Sequence, residues 1–183
     1  MKSGLLIAAP TMKDRWFEQA VVLLCQFNSE GALGLVINKD GPVTIGDVVD
    51  RLELGIAATR GLGSGLLGRT WWGGPVETGA GFVVWRGRVE AEEGWNVGDD
   101  VAVSPSAECL GRLVQGGSEF HLCLGYAGWA PGQLDNEIQT GSWLFADLDS
   151  SILFDTPLGD RWERALGLLG LTRETVWMKP VDE

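Results

Sequence analysis

The residues with the clearest potential for chemistry are His121 and Cys123, two positions apart in a stretch of alternating character. The alternation from Phe120 to Tyr126 predicts a β-strand, in which residues i and i+2 share a face. A histidine beside a thiol can favour the thiolate, which is the nucleophile of some hydrolases and redox enzymes. His121 is the only histidine, so any Ser-His or Cys-His arrangement must use it. The competing interpretation is a packed cysteine next to a histidine on a less buried face.

A glycine-rich stretch, Gly61–Gly68, contains two nucleotide-binding spacings. Gly63, Gly65 and Gly68 satisfy GxGxxG, and the P-loop spacing is met except that Arg69 stands where lysine is needed. Both motifs require a strand before the loop and a helix after it, because the phosphate rests on the helix N-terminus. Here a predicted helix precedes the loop and a strand-like segment follows. The stretch is therefore predicted to be a connecting loop.

Metal and cofactor binding are not predicted. One histidine and three widely spaced cysteines give no recognisable zinc ligand set. Asp147, Asp149 and Asp155 offer oxygen ligands without the spacing of an EF-hand, and acidic helix caps and turns explain them more simply. The cysteines show no CxxC motif and their number is odd, so we expect reduced, buried thiols in a cytoplasmic protein. They are Cys25, Cys109 and Cys123.

A third group of residues has the composition of a binding pocket. Trp129 follows Tyr126 and precedes Gln133, and aromatic rings with an amide can line a groove for a small molecule or a peptide. Gly73 and Gly74 form a second glycine turn. The candidate ligand-binding residues are therefore Gly73, Gly74, Tyr126, Trp129 and Gln133. The alternative is that the aromatic residues fill glycine-rich turns.

The elements that would position these residues alternate irregularly along the chain. Two apolar runs, Ala20–Phe27 and Ala32–Asn38, flank a turn and predict a hairpin. Thr44 and Asp47 have the spacing of a capping box, which predicts a helix that Gly55 ends. Later segments alternate between strand and helix patterns without a regular βαβ repeat. The order predicts an α+β domain with a mixed sheet.

Further predictions follow from single positions. Ser104 is predicted as the N-cap of a helix with Pro105 at its first position. The last helix is predicted to bury Trp162, Ala165, Leu166 and Leu169. We expect one domain over residues 1–173 and a loosely ordered tail over residues 174–183.

Bulk charge limits the partners. The chain has 183 residues and a net charge of −11, and the 9 tryptophans contrast with the single histidine. From Leu113 to Asp160 there are seven acidic residues and no lysine or arginine, a surface that repels phosphate backbones. Direct nucleic-acid binding is therefore disfavoured. No apolar run approaches the roughly 18 residues of a membrane span. The short run Leu5–Ala9 predicts a strand rather than a signal peptide.

Several segments together resemble one family. The glycine-tyrosine-tryptophan segment is the most specific, and the order of the segments agrees throughout. The segments are Gly4–Pro10, Glu30–Asn38, Gly73–Val76, Leu124–Leu134 and Ile152–Pro157 with Arg161 and Trp162. With these segments the chain is similar to the YqgE/AlgH family of bacterial proteins over residues 4–171.

The resemblance implies a bifurcated, partly barrel-like sheet surrounded by helices, and the family has no established enzyme activity. One branch of the family bears the name of a transcriptional regulator, although no DNA-binding element is evident in the family or in this sequence. The preferred interpretation is a cytoplasmic, non-enzymatic binding or regulatory protein. Its small groove would hold an unknown protein or small-molecule partner. The alternatives are a hydrolase or redox enzyme using His121 and Cys123, and a nucleic-acid-linked transcriptional regulator.

Overall fold

The structure, a computed structural model, describes residues 3–52 and 68–174 of the chain. Its strands are β1 (Gly4–Ala8), β2 (Val21–Asn28), β3 (Gly31–Val36), β4 (Asp40–Thr44), β5 (Arg69–Trp72), β6 (Val76–Arg86), β7 (Trp95–Val97), β8 (Val101–Ser104), β9 (His121–Trp129) and β10 (Trp143–Ala146). Its helices are α1 (Ile45–Arg51), α2 (Ala107–Gln115), α3 (Gln133–Gln139), α4 (Ser151–Phe154) and α5 (Arg161–Gly167), with a 3-10 turn at Leu158–Asp160 before α5.

The strands form one curled, mainly antiparallel sheet in the order β10-β1-β2-β3-β9-β6-β8-β7. The predicted hairpin is confirmed as β2 and β3, which pair antiparallel across the turn between Asn28 and Gly31. Strand β9 is the branch point, because it pairs with β3 near Trp129, with β6 along its length, and in parallel with β5 at Cys123. The α+β class and the bifurcated sheet predicted above are therefore confirmed.

Side chains alternate between the two faces of the sheet and form separate cores. One face carries Leu5, Ile7, Leu23 and Cys123 and packs against α4 and α5. The opposite face is covered in two places: the cluster that includes Trp129 and Trp143 lies beside Leu134 of α3, and a second cluster packs against α1 and α2. Apolar residues buried on both faces explain why β1 and β2 are continuous apolar runs.

Local capping signals predicted one helix start correctly and another incorrectly. The capping box is present, because the Thr44 hydroxyl accepts from the Asp47 N–H and the Asp47 carboxylate accepts from the Thr44 N–H. Helix α2, in contrast, is capped by Ser106, whose hydroxyl accepts from the Cys109 N–H. Ser104 is the last residue of β8, and its hydroxyl donates to the Glu93 carbonyl at 2.6 Å.

The end of the last helix also differs from the prediction. Helix α5 ends at Gly167, and Leu169 is 38% exposed rather than buried, because it lies past the helix in a turn. Several predictions lie outside the described residues: the helix stop at Gly55, the glycine-rich stretch as far as residue 67, and the tail beyond residue 174. Within the described parts of the chain, no helix is long and apolar enough to cross a membrane.

Candidate functional site

His121 and Cys123 share a face of β9, as predicted, but their environment does not activate the thiol. Cys123 is fully buried, and burial raises the pKa of its thiol above the ordinary value. The His121 ring stacks on Trp71 with centroids 4.3 Å apart and on Phe154 at 5.6 Å. Burial, with a smaller contribution from the charge of Arg161, lowers the pKa of His121 to about 4. A neutral imidazole beside a protonated thiol does not make the ion pair that a cysteine nucleophile needs.

The guanidinium of Arg161 also packs over the Trp71 ring. It lies 4.6 Å from the Trp71 ring centroid, and the side chain is 5% exposed. The three nitrogens of the head donate to the carbonyl oxygens of Thr156, Leu153 and Ile37. Burial lowers the pKa of Arg161 to about 10. Backbone carbonyls therefore hold this cation in the core, where it joins α4, α5 and the end of β3.

Gly73 and Gly74 are explained by a close approach of two backbones. The link between β5 and β6 runs against β9, so a Cβ on Gly73 would overlap the carbonyl oxygen of Gly125. A Cβ on Gly125 would in turn overlap the Gly74 carbonyl oxygen, and Gly125 has φ +81°. The Gly73 N–H donates to the Leu124 carbonyl at 2.8 Å. These glycines allow the two segments to pack closely.

Trp129 and Gln133 belong to a hydrogen-bonded cluster around Glu137. The Trp129 indole donates to Glu137 Oε1 at 3.0 Å, and the Trp143 indole donates to the same oxygen at 3.1 Å. Gln133 donates from Nε2 to Glu137 Oε2 at 2.9 Å, and its Oε1 accepts from the Ala130 N–H. Trp129 is 7% exposed. These hydrogen bonds connect α3 to the last residue of β9 and to the first residue of β10.

Tyr126 lies on the other face of the sheet from Trp129. Its ring meets Phe82 edge-on with centroids 6.0 Å apart, and it packs against the core that contains Cys123. Trp129 packs in the cluster beside α3. The positive φ of Gly125 shifts the alternation along β9, so Tyr126 points to the face that His121 and Cys123 also occupy. Gly73, Gly74 and Tyr126 lie together, but Trp129 and Gln133 do not join them in a single groove.

A polar cavity of about 260 Å³ opens at one end of the sheet. Three separate parts of the chain form it: the loop before β2, the residues after β3, and the region around α5. The lining residues are Glu18, Gln19, Asn38, Lys39, Leu158, Gly159, Trp162, Glu163 and Arg173. Four of these nine residues carry charge, two of each sign, so the lining is polar and its charges are balanced.

The walls of the polar cavity are fixed by Asn38. Its amide donates to the Gln19 carbonyl at 2.8 Å, and its carbonyl oxygen accepts from the Val21 N–H at 2.9 Å. Gln19 has φ +55°, a left-handed conformation that a non-glycine residue adopts only when its surroundings hold it there. The Trp162 indole donates to the Ala8 carbonyl at 2.8 Å, which fixes a further wall.

Lys39 is a half-buried cation in the lining of the polar cavity. Within the described parts of the chain its ammonium has no hydrogen bond or ion pair. Desolvation lowers the pKa of Lys39, and the negative charges of Glu18 and Asp14 partly oppose that effect. Glu163 and Arg173, in contrast, form an ion pair at 3.3 Å.

A second, smaller groove of about 130 Å³ lies between α1 and α2. It is lined mainly by apolar side chains, among them Val48, Leu110 and Leu122. It lacks charged groups that would orient a small ligand. The described residues also contain no group of three or more histidine, cysteine, aspartate or glutamate side chains placed to hold a metal ion.

Comparison with known proteins identifies the family. A family model described as AlgH-like (DUF179) matches residues 5–174. The chain belongs to the AlgH-like family. An AlgH-like relative, a UPF0301 protein of Pseudoalteromonas translucida, is 36% identical over 172 residues, which cover 93% of this chain and 91% of that protein. A UPF0301 protein of Idiomarina loihiensis is 36% identical over 184 residues, covering 100% of this chain and 96% of the relative.

Solved structures agree with the AlgH-like assignment. The solution structure of the AlgH protein from Pseudomonas aeruginosa matches with a TM-score of 0.75 and 31% identity, over 99% of this chain and 95% of that one. A crystal structure of a protein from Corynebacterium diphtheriae matches with a TM-score of 0.72 and 21% identity, over 91% and 86% of the two chains, and shows the fold alone. The predicted family resemblance is confirmed.

Sequence reasoning missed the polar cavity of this AlgH-like chain. The sequence pattern predicts Asn38 only as the end of a strand, and it does not mark Lys39 or Gln19 as site residues. The available signal is positional: polar residues stand two positions before β2 and two positions after β3, at neighbouring strand ends. The contribution of Trp162 and Arg173 from more than a hundred residues away left no local signal.

Proposed function

We propose that this protein is a non-enzymatic small-molecule-binding protein whose ligand occupies the polar cavity. The observation that carries the proposal is the half-buried Lys39 ammonium, which lines the cavity without an ion pair in the described parts of the chain. A buried charge is costly unless it is paired or hydrogen-bonded. A ligand that brings a negative group to Lys39 would relieve that cost.

The chemistry of the cavity favours binding over catalysis. Neither the single histidine nor any cysteine, serine or threonine lines it. A hydroxyl or thiol nucleophile with an adjacent base, which acyl-transfer and thiol chemistry use, is therefore missing from the described lining. His121 and Cys123 lie in the core, where burial raises the pKa of the thiol and lowers that of the imidazole. These facts support a binding role.

The charge balance of the cavity argues for a small ligand rather than a nucleic acid. Two cations, Lys39 and Arg173, are matched by two carboxylates, Glu18 and Glu163. A phosphate backbone would meet repulsion from both carboxylates, whereas a small molecule can place its groups selectively. The cavity of about 260 Å³ is smaller than the roughly 300–1,000 Å³ typical of drug-sized ligands. This size favours a compact metabolite.

The experiment is a binding screen with one matched pair of variants. Purified full-length protein is screened against small polar metabolites by thermal shift and by tryptophan fluorescence, to which Trp162 in the cavity wall contributes together with the other eight tryptophans. Hits are then titrated into Lys39→Gln and into Lys13→Gln, a charge removal at an exposed residue outside the cavity lining. We expect Lys39→Gln to weaken binding at least about tenfold and Lys13→Gln to leave it unchanged. Absence of hits, or hits insensitive to Lys39→Gln, would contradict the proposal.

The sequence-based groove stays a separate prediction for the same screen. Trp129→Phe removes the indole donor to Glu137 while keeping an aromatic ring. A ligand that loses affinity in Trp129→Phe but not in Lys39→Gln would place the site near Trp129 and Gln133. The reverse pattern would place it in the polar cavity.

A further inference from the structure

We propose that the polar cavity takes a small zwitterion of the α-amino-acid class, with its carboxylate at Lys39 and its ammonium at Glu18. This inference rests on the proposed function and adds the chemical class of the ligand. The charged side chains of the cavity differ in whether they form an ion pair within the described parts of the chain.

Two of the four charged side chains satisfy each other. Arg173 and Glu163 form an ion pair at 3.3 Å, and the Arg173 guanidinium lies over the Trp162 ring at 5.1 Å. This arrangement leaves Lys39 and Glu18 as the pair of opposite charges without such a contact in the described parts of the chain. Their charges act on each other, but no ion pair joins them among the described residues. A molecule that carries both charges can pair with each of them.

A zwitterion fits this arrangement better than a simple ion. A carboxylate without an ammonium would gain from Lys39 but would be repelled by Glu18, with Asp14 also acting on the same region. An amine without a carboxylate would meet the reverse situation. An α-amino acid holds the two groups on one carbon, so each can face its opposite charge at short range, where the attraction is strongest.

The remaining walls indicate an uncharged side chain on the ligand. Leu158 and Trp162 contribute apolar surface, and the Trp162 indole N–H is already used by the Ala8 carbonyl. Gly159 adds no side chain, which leaves room beside Leu158. A charged ligand side chain would therefore meet no free opposite charge along this wall.

The cavity is held in shape without a ligand. Gln19 keeps its left-handed conformation, φ +55°, while Asn38 accepts from the Val21 N–H and donates to the Gln19 carbonyl. A preorganised wall loses little conformational entropy on binding, so even a small molecule can bind measurably.

The test compares an amino acid with its two half-molecules on the full-length protein. Calorimetry and NMR titrations use the amino acids with neutral side chains. For leucine, for example, the half-molecules are 4-methylpentanoate, which lacks the ammonium, and 3-methylbutylamine, which lacks the carboxylate. We expect at least one amino acid to bind and both of its half-molecules to bind at least about tenfold more weakly.

Two variants assign the two charges. Lys39→Gln should weaken binding of the amino acid. Glu18→Gln should also weaken binding of the amino acid, but it should strengthen binding of the carboxylate half-molecule, because the repulsion by Glu18 is removed. Glu30→Gln, in an exposed turn outside the cavity lining, is the matched control and should change neither. Circular dichroism and thermal unfolding confirm that each variant is folded.

The outcomes separate this inference from the proposed function. If the carboxylate half-molecule binds as tightly as the amino acid and depends on Lys39, the ligand is an anion; the zwitterion assignment is then wrong and the binding proposal stands. If no amino acid binds at millimolar concentration, the zwitterion assignment is also wrong. The proposed function fails only if the wider metabolite screen finds no ligand that depends on Lys39.

Discussion

Replacing the buried Arg161 with methionine should destabilise the protein strongly. The guanidinium satisfies three carbonyl oxygens, those of Thr156, Leu153 and Ile37, and lies over the Trp71 ring. A buried acceptor left without a donor costs about 1–3 kcal/mol, and the cation–π contact contributes about 0.5–2 kcal/mol. Part of this loss is offset because methionine has no charge to desolvate. We therefore expect Arg161→Met to lower the free energy of unfolding by about 3–4 kcal/mol.

The assay is urea unfolding followed by tryptophan fluorescence, with Arg164→Met as the control. Arg164 lies in the same helix but is exposed, so its replacement should change the free energy of unfolding by less than about 0.5 kcal/mol. For a domain of this size each kcal/mol corresponds to about 2–4 °C, so Arg161→Met should melt about 6–16 °C lower. A free energy of unfolding for Arg161→Met that lies within about 1 kcal/mol of that of the unmodified protein would refute the reasoning.

Three other predictions follow from the buried polar groups. The pKa of His121 is about 4 in the folded protein and about 6.5 in the unfolded chain, so the free energy of unfolding should fall by up to about 3 kcal/mol as the pH drops through this range. His121→Phe should flatten that part of the pH–stability curve. If the curves of the variant and the unmodified protein run parallel, the pKa assignment is contradicted. Burial raises the thiol pKa of Cys25 and Cys123, so a thiol reagent should label them only at the rate of unfolding; prompt labelling of the folded protein would show an accessible thiol. Glu137→Ala removes the acceptor of two indole donors and should lower the free energy of unfolding in urea by about 2–3 kcal/mol. Glu137→Gln keeps an acceptor oxygen, so it should lower the free energy of unfolding clearly less. Equal decreases for the two variants would mean that packing alone matters.

Features set by neighbouring residues were predictable from the sequence, and features set by distant contacts were not. The hairpin of β2 and β3 and the capping box at Thr44 depend on local pattern, and both are present. The predicted helix start at Ser104 is wrong, because the Ser104 hydroxyl donates to the Glu93 carbonyl, a contact between separate parts of the chain, and the helix is capped by Ser106. The local sequence does not predict the role of Arg161, since its hydrogen bond to the Ile37 carbonyl joins residues 124 positions apart.

The most specific sequence motif of the chain is explained by packing rather than by chemistry. Gly125 of the Gly-Tyr-Ala-Gly-Trp segment and the pair Gly73 and Gly74 lie where a side chain on either segment would overlap the backbone of the other. The indole N–H of the tryptophan of this segment, Trp129, already donates to Glu137 of the same chain. A motif of this kind identifies the fold, because the branch of the sheet at β9 depends on it. Lys39, a half-buried cation without an ion pair among the described residues, lies outside the motif's glycines and aromatic residues, and ligand binding should be sought there.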